Sequence, residues 1–263
     1  MNRIDKKFKD LKKSGRKAFI AYITAGDPDL KATERMAIAL EGSGVDILEL
    51  GIPFSDPVAD GPVIQAASQR ALAKGVNLTG IFGAVKNLRR KTEMPIAFMT
   101  YYNPVFRFGP EKFFNECRKA GVDGVIIPDL SIEEAGETII LGRKNKVATI
   151  FLAAPTSPRA RIKKIALKST GFIYYVSLTG VTGTRKKLPP EVLANVRAIK
   201  TVTDKPVAVG FGISDAKQAR LVARAADGII VGSAIVKIIS EKKNIVSKVS
   251  GLAEKLARAI HDE

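Results

Sequence analysis

Val45 to Gly61 reads VDILELGIPFSDPVADG, and it decides the fold because a short apolar run hands a carboxylate straight to a proline-stiffened loop. Val45, Ile47, Leu48 and Leu50 mark a buried strand. Period-two alternation places Glu49 on the face of Ile47, opposite Asp46, Leu48 and Leu50, so Glu49 points into a core. Burial disfavours the charged form of a carboxyl and raises its pKa toward the range where it both donates and accepts a proton near neutrality. The loop then delivers a second carboxylate, Asp60. Pro53 and Pro57 each remove a backbone freedom, while Gly51 and Gly61 permit turns, so the path between the acids is fixed. Two acids aimed at one place point to acid–base chemistry. Each also has a plainer reading, since a Glu at a strand end is often an ion-pair partner and Asp beside Gly or Pro, as at Asp60 and Asp56, is common turn chemistry.

Working outward, AFIAYIT at Ala18 to Thr24 is a second buried strand, stopped by AGDPD. A helix follows from Pro28 or Asp29 to about Glu41, with Gly44 as its cap. Ile4, Phe8 and Leu11 recur at helical spacing among lysines, an amphipathic helix that covers one end of the core. Strand candidates lie at 18–24, 45–50, 95–100, 122–127, 147–152, 172–177, 206–210 and 228–231, with helical patterns between them. Eight strands alternating with helices imply parallel βαβ units closed into an α/β (β/α)8 TIM barrel. It carries an extra N-terminal helix and additional helices at Pro62 to Lys74 and Leu78 to Arg90. A doubly wound open sheet is the alternative, but no Gly-x-Gly-x-x-Gly follows the first strand.

In a barrel the chemistry belongs at the C-terminal strand ends, where the loops converge. Those ends carry Thr24, Glu49, Thr100 to Asn103, Asp129, Ala153, Ser177 to Gly183, Gly210 to Ser214, Gly232 and Ser233. No lysine is among them, which argues against a Schiff-base nucleophile. No carboxylate cluster has the spacing for a divalent metal. GFGIS (Gly210 to Ser214) and VGSAI (Val231 to Ile235) are glycine-rich turns that each open a helix, which makes a phosphate site of backbone N–H groups and helix dipoles. Gly183 in TGVTG adds a third approach where a side chain would obstruct an anion.

Composition removes other mechanisms. The chain has 263 residues, 46% of them hydrophobic, with no linker or low-complexity segment, and reads as one domain over 1–263. Its longest charge-free stretch, Ser169 to Thr184, is rich in Gly, Ser and Thr and falls short of a membrane span. The charged N-terminal stretch has no signal-peptide core, so the cytoplasm is expected. Cys117 is the only cysteine and His261 the only histidine, which excludes internal disulfides, cysteine metal clusters and histidine triads. Cys117 reads as a helix core residue, and His261, near the C-terminus, falls where order is usually poor. The net charge of +17 raises a nucleic-acid partner as a possibility. Its lysines and arginines are spread along the chain without interleaved aromatics, and a solvated basic surface is the better reading.

The sequence resembles the tryptophan synthase alpha subunit family over essentially its whole length. The resemblance rests on LELGIPFSDPVADGP at Leu48 to Pro62, TGVTG at Thr179 to Gly183, GFGIS at Gly210 to Ser214 and GSAIVKII at Gly232 to Ile239. It implies a barrel that cleaves indole-3-glycerol phosphate to indole and glyceraldehyde 3-phosphate. It also implies an alpha2beta2 heterotetramer with a beta subunit that carries pyridoxal phosphate, the alpha chain itself binding no cofactor and no metal. By position, Glu49 matches the family's general acid–base and Asp60 the group that holds the ring N–H. Tyr174 is an assisting phenol whose neighbour Tyr175 competes for the role, and alternation sends the two to opposite faces. Gly183, Gly212, Gly232 and Ser233 fall on the phosphate site. Tyr22, Met99, Ile126 and Leu152 line the indole pocket, with the Tyr22 hydroxyl in need of a partner. Asp56 matches the subunit interface, and Thr182 a lid residue that reaches toward Asp60. Another phosphate-handling barrel would share the phosphate turns but not the acid-bearing stretch.

Leu178 to Glu191, LTGVTGTRKKLPPE, is long and polar for a barrel connection, and the resemblance implies that it closes as a lid. Trypsin is then expected to cut after Arg185, Lys186 and Lys187 in the free chain, and substrate analogue together with the beta subunit to protect them. Cleavage at an unchanged rate under saturation would remove the lid.

Overall fold

The computed structural model describes residues 2–176, 190–210 and 212–261; Thr182, Gly183 and most of the expected lid lie outside them. The strands are β1 Ala18–Thr24, β2 Ile47–Gly51, β3 Ile96–Met99, β4 Gly124–Ile126, β5 Ala148–Ile150, β6 Leu152–Ala153, β7 Ile173–Val176, β8 Val207–Gly210 and β9 Gly228–Val231. They pair in parallel in the order β5-β4-β3-β2-β1-β9-β8-β7-β6. The first and last members of that series are consecutive in the chain, separated only by Phe151, so the sheet returns on itself as a barrel. The expected fifth strand, 147–152, is thus two short ones. Its first half is hydrogen-bonded to β4 and its second to β7, as the staggered register of tilted barrel strands requires.

Alternation sorts the apolar side chains into two layers. Ala18, Ile20, Ile47, Ala97, Ile126, Ala148, Ile150, Phe172, Ala208 and Ile230 fill the barrel interior. Phe19, Ala21, Ile23, Leu48, Leu50, Ile96 and Phe98 point outward into the layer shared with the helices. The helix Arg3–Lys13 is started by a capping box between Asn2 and Asp5 and sends Ile4, Phe8 and Leu11 into the interior cluster, where the Phe8 and Phe172 rings lie 5.6 Å apart. It plugs the N-terminal end, as its spacing predicts. Helices Pro62–Leu72 and Leu78–Arg89 fill the long gap after β2. Among the described residues no helix is long and apolar enough to cross a membrane.

His261 departs from expectation, for it is well tied down. The helix Ile245–His261 buries Val249, Ala253, Leu256, Ala257, Ala259 and Ile260, which carries its last turn onto the barrel. There His261 Nε2 lies 3.0 Å from Asp46 Oδ2 and its Nδ1 2.6 Å from Arg16 Nη2. A guanidinium only donates, so Nδ1 is the acceptor and Nε2–H donates to Asp46. Asp46 Oδ2 also accepts from the Phe19 N–H at 2.9 Å. We expect His261→Ala to lower the unfolding free energy by about 1–2 kcal/mol, and Asp46→Ala by more, because it orphans a buried N–H. Urea denaturation checks this; equal, negligible losses would mean that the latch is ornamental.

Candidate active site

Glu49 stands on β2 one pleat above Ile47 and faces the barrel interior, wholly inaccessible to solvent at 0% exposure. Neither carboxyl oxygen has a hydrogen-bond partner among the described residues. Burial, reinforced by the nearby Asp60 charge, pushes its pKa up to about 8. A buried carboxyl without a partner is destabilising and uncommon.

Asp60 ends the loop that leaves β2. The Ile52 N–H donates to the Met99 carbonyl at 2.8 Å, and the Asp60 N–H closes a turn on the Pro57 carbonyl at 3.0 Å. Gln65 Nε2 holds the Asp60 carbonyl at 2.8 Å, and Gly61 and Pro62 start the next helix, Pro62–Leu72. Burial raises the Asp60 carboxyl to about 6, less than it otherwise would, because a hydrogen bond from the Tyr101 hydroxyl favours its charged form. The two acids are therefore unlike at neutral pH: Glu49 holds its proton and Asp60 is mostly ionised. One donor and one anion, the second acting on the first through its charge, form an acid–base pair.

Tyr174 and Tyr175 separate as alternation requires. Tyr174 packs against the interior cluster, whereas Tyr175 belongs to the outer layer and accepts a hydrogen bond from Asn195 Nδ2 at 3.0 Å. Burial first, and then the Glu49 charge, hold the Tyr174 phenol well above its ordinary pKa, so it is a neutral donor. Gly210 makes room for it, since a Cβ there would stand 2.7 Å from the Tyr174 hydroxyl.

Of the apolar pocket candidates, Met99 and Leu152 rim the open end, each partly buried against the interior cluster. Met99 also meets Tyr22, Ile64, Ala67 and Val236. Ile126 is fully buried within the interior cluster. Tyr22 lies across Gly51, where a Cβ would collide with its ring and hydroxyl, and its hydroxyl finds Thr24 Oγ1 at a long 3.4 Å. Gly232 is the N-cap of the helix Ser233–Ser240 and has no side-chain cap. A Cβ on it would stand 3.3 Å from Tyr22 Cβ, which brings that helix start beside Tyr22. Gly212 differs in kind: it has a positive φ of 26°, but the helix beyond it begins only at Ala216 and is already capped by Asp215. GFGIS therefore offers loop backbone and no open helix end. Asp56 is exposed on the loop crest beside Val58, which is 83% exposed.

Two residues gained no role from sequence. Tyr101 was visible only as one of several residues at a strand end, and its hydroxyl accepts the Ala59 N–H at 3.0 Å. Arg70 grips Asp27 through Nε at 2.9 Å and Nη2 at 2.6 Å, fastening the helix that follows Asp60 to the loop after β1. A groove between Arg3, Arg118, Arg143 and Lys146 opens at the plugged end, far from both acids in the barrel.

The model of the family "Tryptophan synthase alpha chain" matches residues 8–261. The tryptophan synthase alpha chain of Geotalea daltonii is 49% identical over 262 residues, with 99% of each chain covered. That of Caldanaerobacter subterraneus is 50% identical over 244 residues, with 93% of each covered. A solved tryptophan synthase alpha subunit from Legionella pneumophila matches with a TM-score of 0.92 at 38% identity, covering 99% of this chain and 98% of the other. A chain from a structure on mutual activation of the tryptophan synthase a2b2 complex of Pyrococcus furiosus matches with a TM-score of 0.87 at 42% identity, covering 92% and 98%.

The raised Glu49 pKa makes a stability prediction that needs no substrate. With its folded pKa about 8 against an ordinary 4.5, the native state keeps a proton that the unfolded chain has released. Its contribution is therefore fully present in acid and lost as pH rises through that window. Glu49→Gln, which cannot ionise, should unfold at a higher temperature than the parent at about pH 9 and at nearly the same temperature at about pH 4. A pH-independent difference in scanning calorimetry would contradict the shift.

Proposed function

The chain belongs to the tryptophan synthase alpha chain family, and we propose from that premise how its residues carry out the family's reaction, the cleavage of indole-3-glycerol phosphate in tryptophan biosynthesis. The observation that carries the proposal is Glu49, buried in the barrel with no partner among the described residues, its pKa raised by burial and by the Asp60 charge. Glu49 gives its proton to C3 of the indole ring, which places positive charge on the ring nitrogen. Asp60 accepts the ring N–H and stabilises that charge. The Glu49 carboxylate then takes the proton of the glycerol hydroxyl next to the ring. As the C–O double bond forms, the carbon–carbon bond to C3 breaks, and its electrons restore the aromatic ring. Indole and glyceraldehyde 3-phosphate leave with Glu49 protonated again, so atoms and charge balance without a Schiff base or an external electron sink. Tyr174 donates from its neutral phenol to the reacting oxygen.

The indole ring lies among Tyr22, Met99 and Leu152 above Ile126. The phosphate is held by backbone N–H groups at Gly232 and Ser233 with help from Gly212 and Gly183. The start of the helix Ser233–Ser240 has no side-chain cap, which supports this placement, as a free helix N-terminus is an anion site. In the cytoplasm the chain pairs with a beta subunit, whose pyridoxal phosphate consumes the indole. Asp56 and the exposed Val58 crest meet that subunit, so partner contact acts on the loop that carries Asp60.

Glu49→Gln should reduce cleavage by roughly 10²–10⁴-fold while a substrate analogue still binds, and Asp60→Asn should also be severe. Wild-type turnover in Glu49→Gln would sink the assignment. kcat/KM should fall on both sides of neutrality, on the acid side as Asp60 protonates (pKa about 6) and on the alkaline side as Glu49 ionises (about 8). A profile flat across that range would be incompatible with the pair.

A further inference from the structure

Tyr101 occupies a position that its residue type does not suit. It is the N-cap of the helix Tyr102–Phe108 and makes no side-chain cap bond, although such positions favour Ser, Thr, Asp or Asn. The capping task has moved to another loop: both carboxyl oxygens of Asp129, just beyond β4, accept the Tyr102 N–H at 2.9 and 3.2 Å. Freed from capping, the almost fully buried Tyr101 side chain reaches across to the loop after β2. It touches that loop at two points: its ring lies 5.3 Å from that of Phe54, and its hydroxyl accepts the Ala59 N–H at 3.0 Å. Asp60 is the next residue along, and the phenol beside it favours the charged form of its carboxyl. A phenol that accepts the Ala59 N–H has its one proton left to turn toward that neighbouring acid.

We propose that Tyr101 is a positioning residue for Asp60, and that Asp129 completes the device by fixing the turn from which Tyr101 springs. The strut runs from the β4 loop through the Tyr102 N–H and the Tyr101 phenol to Asp60. It rests on the role given to Asp60 above. Its function is to aim one carboxylate oxygen and keep it ionised, leaving the other oxygen for the substrate N–H. Packing against Phe54 alone would be served equally well by phenylalanine, and this separates the strut from a merely structural ring.

The test uses Tyr101→Phe and Asp129→Ala in the full chain with its beta subunit. Tyr101→Phe keeps the ring and should lower kcat/KM by roughly 10–100-fold, the range for losing a hydrogen bond to a charged group. The acid limb of the profile should move to higher pH, while the alkaline limb stays in place. Asp129→Ala, at an exposed position, should move the acid limb the same way by less. The double variant should be no worse than the product of the two losses. Independently of turnover, the carboxyl titration of Asp60, followed by carbon-13 NMR in the Glu49→Gln background, should shift upward in both variants. An unmoved acid limb together with an unmoved Asp60 titration in Tyr101→Phe and Asp129→Ala would overturn the proposal. If Glu49→Gln and Asp60→Asn remained inactive in that case, only the strut would fall; if they were active, the mechanism itself would fall.

Discussion

Along β2 each residue goes either into the barrel or out of it, and the chain cannot move one without moving all. Ile47 goes in and joins the apolar column built from eight other strand segments; Leu48 and Leu50 go out to the helices. Glu49 is then committed inward, one pleat above Ile47, where it is closed to solvent and has no hydrogen-bonding neighbour among the described residues. A register slip would relieve the carboxyl but would turn three large aliphatic side chains to the wrong face. The hydrophobic energy of the barrel therefore holds the carboxyl in a place it would not choose, and its high proton affinity follows from that.

The plug at the other end gives this burial a direction. With Ile4, Phe8 and Leu11 filling the N-terminal end, the interior is solid there, and among the described residues the partly buried Met99, Leu152 and Tyr174 mark an end of that interior cluster where side chains still see solvent. The plugging helix is held in turn by partly buried polar bonds. Asn2 Nδ2 donates to the Asp123 carbonyl at 2.7 Å, while Asp123 accepts from Arg3, from Arg89 and from the Ile96 N–H. Stability gathers at the closed end and reactivity at the open one, the usual division in this architecture.

Much of this is legible in the chain itself, because alternation and turn chemistry are local. The strands, the inward face of Glu49, the opposite faces of Tyr174 and Tyr175 and the plugging helix follow from spacing alone. What is not legible depends on partners distant in sequence. The division of the fifth strand at Phe151 follows from the stagger of β4 and β7, and the order of His261 from Asp46 and Arg16. Tyr101 at a strand end carries no sign that its hydroxyl will meet Ala59. The motif GFGIS resembles its counterpart after β9 as a string, yet only Gly232 directly opens a helix. The roles of Thr182 and Gly183 rest on resemblance, as they lie outside the described residues.

The contact between Tyr22 and Gly51 bears on how such a pocket changes over generations. The phenol occupies the volume that any side chain at position 51 would need, so the two positions have a compulsory order of substitution. Position 22 must shrink before position 51 can grow; the reverse order passes through a chain with two groups in one space. Gly210 and Tyr174 are bound by the same rule on the facing wall. Lineages that remodel the cavity are thereby channelled through intermediates with a larger hollow, and widening precedes any later narrowing.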